Sequence, residues 1–329
     1  MNSAFESARR TASAIPPVAH FIWFGREFLW VHLLAIRSAV QRGDFQRVVL
    51  HHADDLRGSS WWNELQTLPR FEARRLRPEE LLEAAHGAPL VDVFRDLEDL
   101  AARANVVRAA VLSVEGGTYL DADTVTLRSF APLLEPGGAF CGKEHIIRPY
   151  GVLSNPSLSA RISRLLRRVA RSTLRELPDG WRAFRRIEGL YPAAVNNAVL
   201  GSEARHPFIG ALIESMVRTP PVRRRVRYAL GTHLLQQEVE RYTGGDLRVL
   251  PPHVFYPLGP EISLHWFRHG RRAALADVLC PETRLVHWYA SVRTTHIVSA
   301  ITPDYVRTHA RSQLFSALAL PFVEAEAVP

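Results

Sequence analysis

The sequence is poor in cysteine, methionine and lysine. It has two cysteines, Cys141 and Cys280, two methionines, and one lysine, Lys143, among 41 basic residues. Two cysteines so far apart make no Cys-x-x-Cys pair and offer no zinc-ligand spacing, which excludes a disulfide-rich scaffold. They suit a reducing compartment, with one long-range disulfide left open. No stretch reaches ~18 uninterrupted apolar residues, so a membrane-spanning helix is not expected. The segment from Met1 to Pro17 carries Glu6, Arg9 and Arg10 and no apolar core. A secretory signal is therefore not expected either, and the expected location is the cytoplasm. Also missing are G-x-S-x-G, G-x-x-x-x-G-K-[ST] and a G-x-G-x-x-G after a strand, which sets aside the commonest hydrolase, P-loop and dinucleotide-binding signatures.

What is present is an ordinary globular composition. Apolar residues make up 47% and charged residues 22% of 329, enough to bury a large core in one α/β domain or two modest ones. The net charge of +8 is carried almost wholly by arginine. Genome composition alone produces such a bias, so the charge does not count toward nucleic acid. It does favour anionic ligands such as nucleotide diphosphates, acidic glycans or lipid headgroups. Nine arginines lie between Ser157 and Arg186, and a second cluster is Arg223-Arg224-Arg225 with Arg227. Such runs are usually solvated faces. Binding of an anionic acceptor and a peripheral contact with an anionic membrane are the open alternatives.

The pattern along the chain begins with strand, helix, strand. Val18 to Trp23 follows Pro16-Pro17 as a buried first strand, Glu27 to Gln41 has helical spacing up to Gly43, and Arg47 to His51 is a second strand. The stretch 54–87 has no clear period apart from a helix start at Pro78-Glu79-Glu80. From Phe94 to Val114 apolar residues recur every three or four positions, which predicts one long helix ended by Gly116-Gly117. Thr118 to Leu120 then reads as a strand, with Asp121-Ala122-Asp123 at its carboxyl end, where open α/β sheets bind ligands. Further strands are expected at Ala139–Gly142, Leu247–Leu250 and Arg284–Trp288. Helices are expected at Ser157–Leu174, His206–Val217 and Thr232–Tyr242. His51-His52 and Trp61-Trp62 have no ligand or nucleophile spacing and read as structural.

Asp121 and Asp123 are the chemically pointed residues. Two carboxylates one residue apart on a strand share a face, at about 6–7 Å along the chain, and can address one hard cation such as Mg²⁺ or Mn²⁺. A bare Asp-x-Asp is more often a solvated turn. The long helix, the paired glycines and the strand before it tip the balance toward a cation site.

Together, Ala104-Asn105-Val106-Val107-Arg108 and Gly116-Gly117-Thr118-Tyr119-Leu120-Asp121-Ala122-Asp123 resemble the glycosyltransferase family with a DXD-containing sugar-binding region. That family takes in fungal initiating α-1,6-mannosyltransferases, bacterial capsule enzymes and, more distantly, glucosylating toxins. Ala19 to Gly25 resembles the family's first strand, Asn196-Asn197 through His206-Pro207 a later segment, Gly231-Thr232 to Leu235 a helix start, and Leu285 to Trp288 its closing element. The resemblance runs over residues 15–292 and is densest at 104–123.

The resemblance implies an α/β, GT-A-type nucleotide-diphospho-sugar transferase fold, with a single Rossmann-like central sheet flanked by helices. It divides the chain into a flexible N-terminus at 1–14, one domain at 15–300 and a C-terminal tail at 301–329. It implies a retaining, Mn²⁺- or Mg²⁺-dependent transfer from a UDP- or GDP-sugar to an unidentified acceptor, in a setting such as polysaccharide biosynthesis. Asp123 would coordinate the metal directly, Asp121 would hold the ribose and metal waters, and both count as catalytic with Arg108. Arg108 either binds sugar or phosphate or makes a surface salt bridge. Trp23 either stacks on the base or packs in the core, and His287 is either a third metal ligand or a satisfied core histidine. Asn105, Tyr119 and Asn197 complete the donor-binding set, with Trp288 as a lid.

Where the family carries aspartate this sequence has Asn105. The change points to a slower enzyme, to a donor that bears its own carboxylate, or to neutral variation with a hexose donor. Acceptor contacts are expected within 54–90 and 143–190. Two other readings stand beside this one. A basic module binding nucleic acid or membrane explains the arginines but not Asp121 and Asp123. A metal-dependent nucleotidyltransferase would consume a nucleoside triphosphate and release pyrophosphate.

Overall fold

The computed structural model describes residues 14–146, 158–270, 275–291 and 294–324. The N-terminal segment expected to be flexible lies outside the described residues except for Ala14. Nine strands are present among them: β1 (Val18–Trp23), β2 (Arg47–His52), β3 (Phe71–Arg75), β4 (Gly117–Leu120), β5 (Thr124–Thr126), β6 (Ala139–His145), β7 (Ala193–Ser202), β8 (Leu247–Leu250) and β9 (Leu285–His287). Seven form one sheet in the order β3-β2-β1-β4-β7-β6-β8, and β5 pairs with β9 in a small second sheet. Strands β1 to β4 run parallel, while β7 runs antiparallel to both neighbours, β4 and β6.

Parallel central strands are covered on both faces, so they read as continuous apolar runs, as β1 does. One face packs the helix Trp30–Arg42, which buries eleven residues and is itself covered by the C-terminal helix Leu314–Glu324. The other face packs the helices Leu100–Glu115, Pro207–Arg218 and Leu234–Arg241. Residues 303–324, set apart by sequence as a tail, form two helices whose Val306, Leu314, Phe315, Leu318 and Phe322 join the first core cluster. No helix among the described residues is long and apolar enough to cross a membrane.

Several element boundaries differ from the sequence expectation. The helix predicted over Phe94–Val114 is two helices, Ala88–Arg95 and Leu100–Glu115. The break is Asp99, whose side chain accepts from the Ala101 N–H and so caps a new helix start. Strand β7 was not legible because its ladder is irregular. Its register against β6 jumps between Cys141, opposite Leu200, and Gly142, opposite Asn196, and the extra residues bulge around Asn197. Bulges of this kind re-aim side chains next to functional sites. Both cysteines are free thiols.

Candidate active site

The paired glycines set the site's foundation. Both have positive φ, and a Cβ on Gly116 would meet the Ala204 N at 2.6 Å while one on Gly117 would meet the Val18 O at 2.7 Å. A side chain at Gly117 would push β4 away from β1, and one at Gly116 would press on the chain just after β7. Buried His20 secures the same turn, its Nε2 lying 3.0 Å from the Gly116 carbonyl and its Nδ1 3.0 Å from His51 Nε2. Burial lowers the His20 pKa to about 4, so the pair stays neutral. The histidines of β1 and β2 are therefore structural, as expected of His51.

Strand β4 delivers Asp121 to the sheet's edge, where its N–H donates to the Ala198 carbonyl at 2.9 Å. Its Oδ1 is held twice: Arg108 Nη2 donates at 3.0 Å and the Tyr119 hydroxyl at 2.5 Å. Arg108 is buried, stacks over the Tyr119 ring at 4.0 Å from its centroid, and also donates to the Asn197 carbonyl. The reading of Arg108 as a surface salt bridge is thus corrected to a buried one. Its fork orients Asp121.

Asp123 is placed by the small sheet. Thr124 pairs with His287 across β5 and β9, and the Trp288 N–H donates to the Asp123 carbonyl at 3.1 Å. This register sets His287 Nε2 3.0 Å from Asp123 Oδ1, and the Ala290 N–H donates to Asp123 Oδ2 at 2.8 Å. Burial opposes charge on both side chains. The pairing outweighs it, holding Asp123 below the usual carboxylate range and His287 above the usual imidazole range. Ligand atoms of Asp121, Asp123 and His287 lie within 4.8 Å of one another.

Two cavities meet at this cluster. One, of about 410 Å³, is lined by Trp23, His32, Asn105, Arg108, Tyr119 and Ala290 among others. Trp23 is half-buried there, packed edge-on against Phe28 at 5.5 Å between ring centroids and against His32 at 4.1 Å. Asn105 Oδ1 accepts from Asn197 Nδ2 at 2.8 Å, so the two amides close one wall together. The second cavity, of about 460 Å³, is lined by Glu144, Arg168, Arg171, Asn196, Glu261 and Tyr289 among others. Asp121, Asp123, Asn197, Tyr228, Thr232 and Ser291 border both.

Trp288 is elsewhere. It is fully buried, edge-on to Phe267 and Phe315, and lines neither cavity. The lid assignment is corrected: an apolar strand end turns the indole into the core and leaves only the backbone N–H for the Asp123 loop.

Residues without a local signature complete the second cavity. Glu144 accepts from Asn196 Nδ2 at 2.8 Å and from the Tyr289 hydroxyl at 2.7 Å, and burial pushes its pKa up to about 7. Tyr228 and Tyr289 hold positive φ of 68° and 61°, a strained backbone for bulky residues that clusters at functional sites. A π-helical turn at Ala229–His233 brings Thr232 to the junction, its buried hydroxyl unpartnered among the described residues. A second group, His253, Cys280 and Glu282, also gathers ligand atoms within 4.8 Å. Arg128 sits on the Cys280 carbonyl at 2.9 Å, a cation that opposes a metal ion there.

The family model for the glycosyltransferase sugar-binding region containing DXD motif matches residues 38–138, which hold Asn105, Arg108, Asp121 and Asp123. No curated protein matches the sequence. Among solved structures, the chain is similar to the PaToxG glycosyltransferase at 15% identity and a TM-score of 0.47, over 70% of each chain. It is similar to mouse xyloside xylosyltransferase 1 at 13% and 0.43, over 82% of this chain and 96% of that one. It is also similar to the glycosyltransferase GlyE of Streptococcus pneumoniae at 10% and 0.39, over 93% and 59%. These structural likenesses are loose, and the motif match carries the assignment. Residues 38–138 thus carry the match to the glycosyltransferase sugar-binding region containing a DXD motif, and they lie in an α/β fold built on a seven-stranded sheet.

Proposed function

We propose that the protein is a metal-dependent, retaining glycosyltransferase that moves a sugar from a UDP- or GDP-sugar to an acceptor entering beside Glu144. The convergence of Asp121, Asp123 and His287 at the seam between two cavities carries this reading. Two carboxylates and one imidazole form a donor set that suits a divalent cation, and the imidazole favours Mn²⁺ over Mg²⁺. When bound, such an ion offsets the negative charge that builds on the departing diphosphate.

The chain's own residues divide the remaining work. Asp123 and His287 would hold the ion. Asp121, fixed through one oxygen by Arg108 and Tyr119, keeps its other oxygen for the ribose and for metal-bound waters. Trp23 offers an indole face to the base. The Asn105 and Asn197 amides border the sugar. Glu144, its carboxyl raised toward neutrality by burial, accepts from an acceptor hydroxyl in the second cavity. Retention of configuration rests on the family resemblance and not on a distance.

A thermal-shift panel of UDP-, GDP- and TDP-sugars tests the reading, since a ligand that binds only the native state raises Tm with its affinity. The expected result is stabilisation by one nucleotide class that needs Mn²⁺, together with release of nucleoside diphosphate that EDTA stops. The anomeric configuration of the product, read by NMR, tests retention. Pyrophosphate release from a nucleoside triphosphate would favour nucleotidyl transfer instead.

A further inference from the structure

The helix Leu158–Glu176 is amphipathic the wrong way round for a globular protein. A surface helix ordinarily turns its apolar stripe to the core. Here Leu158, Ile162, Leu165, Leu166 and Val169 are 50–71% exposed. At 100° per residue they fall on one stripe about 100° wide. The polar side meets the body instead. Arg171 pairs with Glu261 at 2.8 Å, Arg167 donates to the Leu190 carbonyl at 2.8 Å, and the Tyr191 hydroxyl donates back to the Arg167 carbonyl at 2.8 Å. Exposed Arg161 and Arg168 border one edge of the outward stripe, with half-buried Arg164 behind them, and from Leu158 to Arg175 the helix carries six arginines and no acid.

A second segment repeats the combination. Val222, Val226 and Tyr228 are 83%, 56% and 47% exposed, and Arg223, Arg224, Arg225 and Arg227 lie between them in sequence. The two segments come together at one place: Arg168 and Arg171 from the first and Tyr228 from the second line the cavity that holds Glu144.

We propose that this face docks on an anionic lipid bilayer, with the Leu158–Glu176 helix lying in the interface and the mouth of the Glu144 cavity turned toward the membrane surface. An apolar stripe beside an acid-free row of arginines matches such a surface twice over: leucines and valines enter the boundary between headgroups and acyl chains, and arginines meet lipid phosphates. The acceptor would then be presented at the membrane. The docking itself requires no donor and does not rest on the reaction.

Flotation of the full chain with vesicles tests the inference. Phosphatidylcholine vesicles with and without about a third phosphatidylglycerol are compared at low and high salt. Binding is expected to the anionic vesicles and to fall with salt. Leu165→Glu with Leu166→Glu should weaken it about tenfold or more through lost apolar burial and added repulsion. Arg161→Gln with Arg164→Gln should weaken it less and flatten the salt dependence. All four positions lie outside the cavity linings, so Tm and donor hydrolysis should stay at the parent level. Equal binding by the leucine variant overturns the proposal. So does vesicle-independent self-association that the same variant abolishes, which would make a second copy the occupant. Retention on heparin unaffected by the leucine changes, without flotation, also overturns it. Since no donor is present, failure here leaves glycosyl transfer standing, and an inactive enzyme that floats leaves the docking standing.

Discussion

The cleft beside Trp23 and the cavity beside Glu144 share a border of six residues but are made differently. The Trp23 cleft is assembled from ends of regular elements: β1, the helix Leu100–Glu115 and β4. Its main polar groups hold one another, with Arg108, Tyr119 and Asp121 in one network and Asn105 against Asn197. The Glu144 cavity draws on β6, the bulged end of β7, an arginine-rich helix, a π-turn and the loop after β9. Its charges come from three segments: Glu144 from β6, Arg168 and Arg171 from the helix Leu158–Glu176, and Glu261 from the loop before Ser263. A preorganised network suits a ligand whose shape is constant. A wall of unlike segments can change without disturbing the sheet, which is where acceptor variety is accommodated.

The largest effect should fall on the seam that both halves share. Asp123→Asn keeps the side chain's volume but removes the charge facing His287. Turnover is expected to fall about a thousandfold, in line with losing several kcal/mol of charge stabilisation at the leaving group. The variant should also melt below the parent, because Asp123 is the half-buried partner of buried His287. Full turnover in Mn²⁺ would remove Asp123 from the site.

Two tryptophans sharpen the contrast between core and cleft. Trp288→Ala should cost about 3–5 kcal/mol of stability, because the indole is fully buried among Phe267 and Phe315. Chemical denaturation checks it, and an unshifted midpoint would contradict the packing. Next comes Glu144→Gln, expected to lower turnover about a hundredfold while leaving nucleotide affinity within about twofold. Affinity falling in step with turnover would move Glu144 to the donor side. Trp23→Ala should raise the donor KM about tenfold with little change in kcat, since stacking of about 1–3 kcal/mol holds the base equally in ground and transition states. A kcat loss without a KM change would assign Trp23 to the chemistry.

The same division governs what the sequence disclosed. Elements of the Trp23 cleft are local: a buried strand, a periodic helix and a double glycine each leave a mark within twenty residues, so Asn105, Arg108, Asp121 and Asp123 stood out together. Residue Glu144 had no such mark. It matters because β7 lies antiparallel beside β6 and bulges to bring Asn196 onto it, a pairing across some fifty residues that no short window contains. His287 became specific only through the β5–β9 register, and Trp288, its neighbour, was misassigned because one strand step turns a side chain to the opposite face. The Leu158–Glu176 helix was legible as a helix, but its inverted orientation was not, since periodicity says nothing about which face is covered.

Asn105 gives the smallest expected effect and the finest distinction. A carboxylated donor would need a cation beside position 105, and Arg108, three residues on, is the candidate that helical spacing offers. In the structure that guanidinium already serves Asp121, Tyr119 and the Asn197 carbonyl from a buried position. Turning it toward a sugar carboxylate would strip Asp121 of its clamp, so Arg108 is a poor counter-ion for a uronic acid. Asn105 itself spends its carbonyl on Asn197 Nδ2, a bond that an aspartate would accept equally well. Asn105→Asp should therefore preserve the wall and change kcat/KM for a neutral UDP-hexose by less than about threefold, near the 0.5 kcal/mol typical of substitutions that break nothing. The ratio of UDP-glucuronate to UDP-glucose use decides the matter. A parent enzyme that prefers the glucuronate and loses that preference in Asn105→Asp would show that charge at position 105 selects the donor, and would require Arg108 to leave Asp121 when the donor binds.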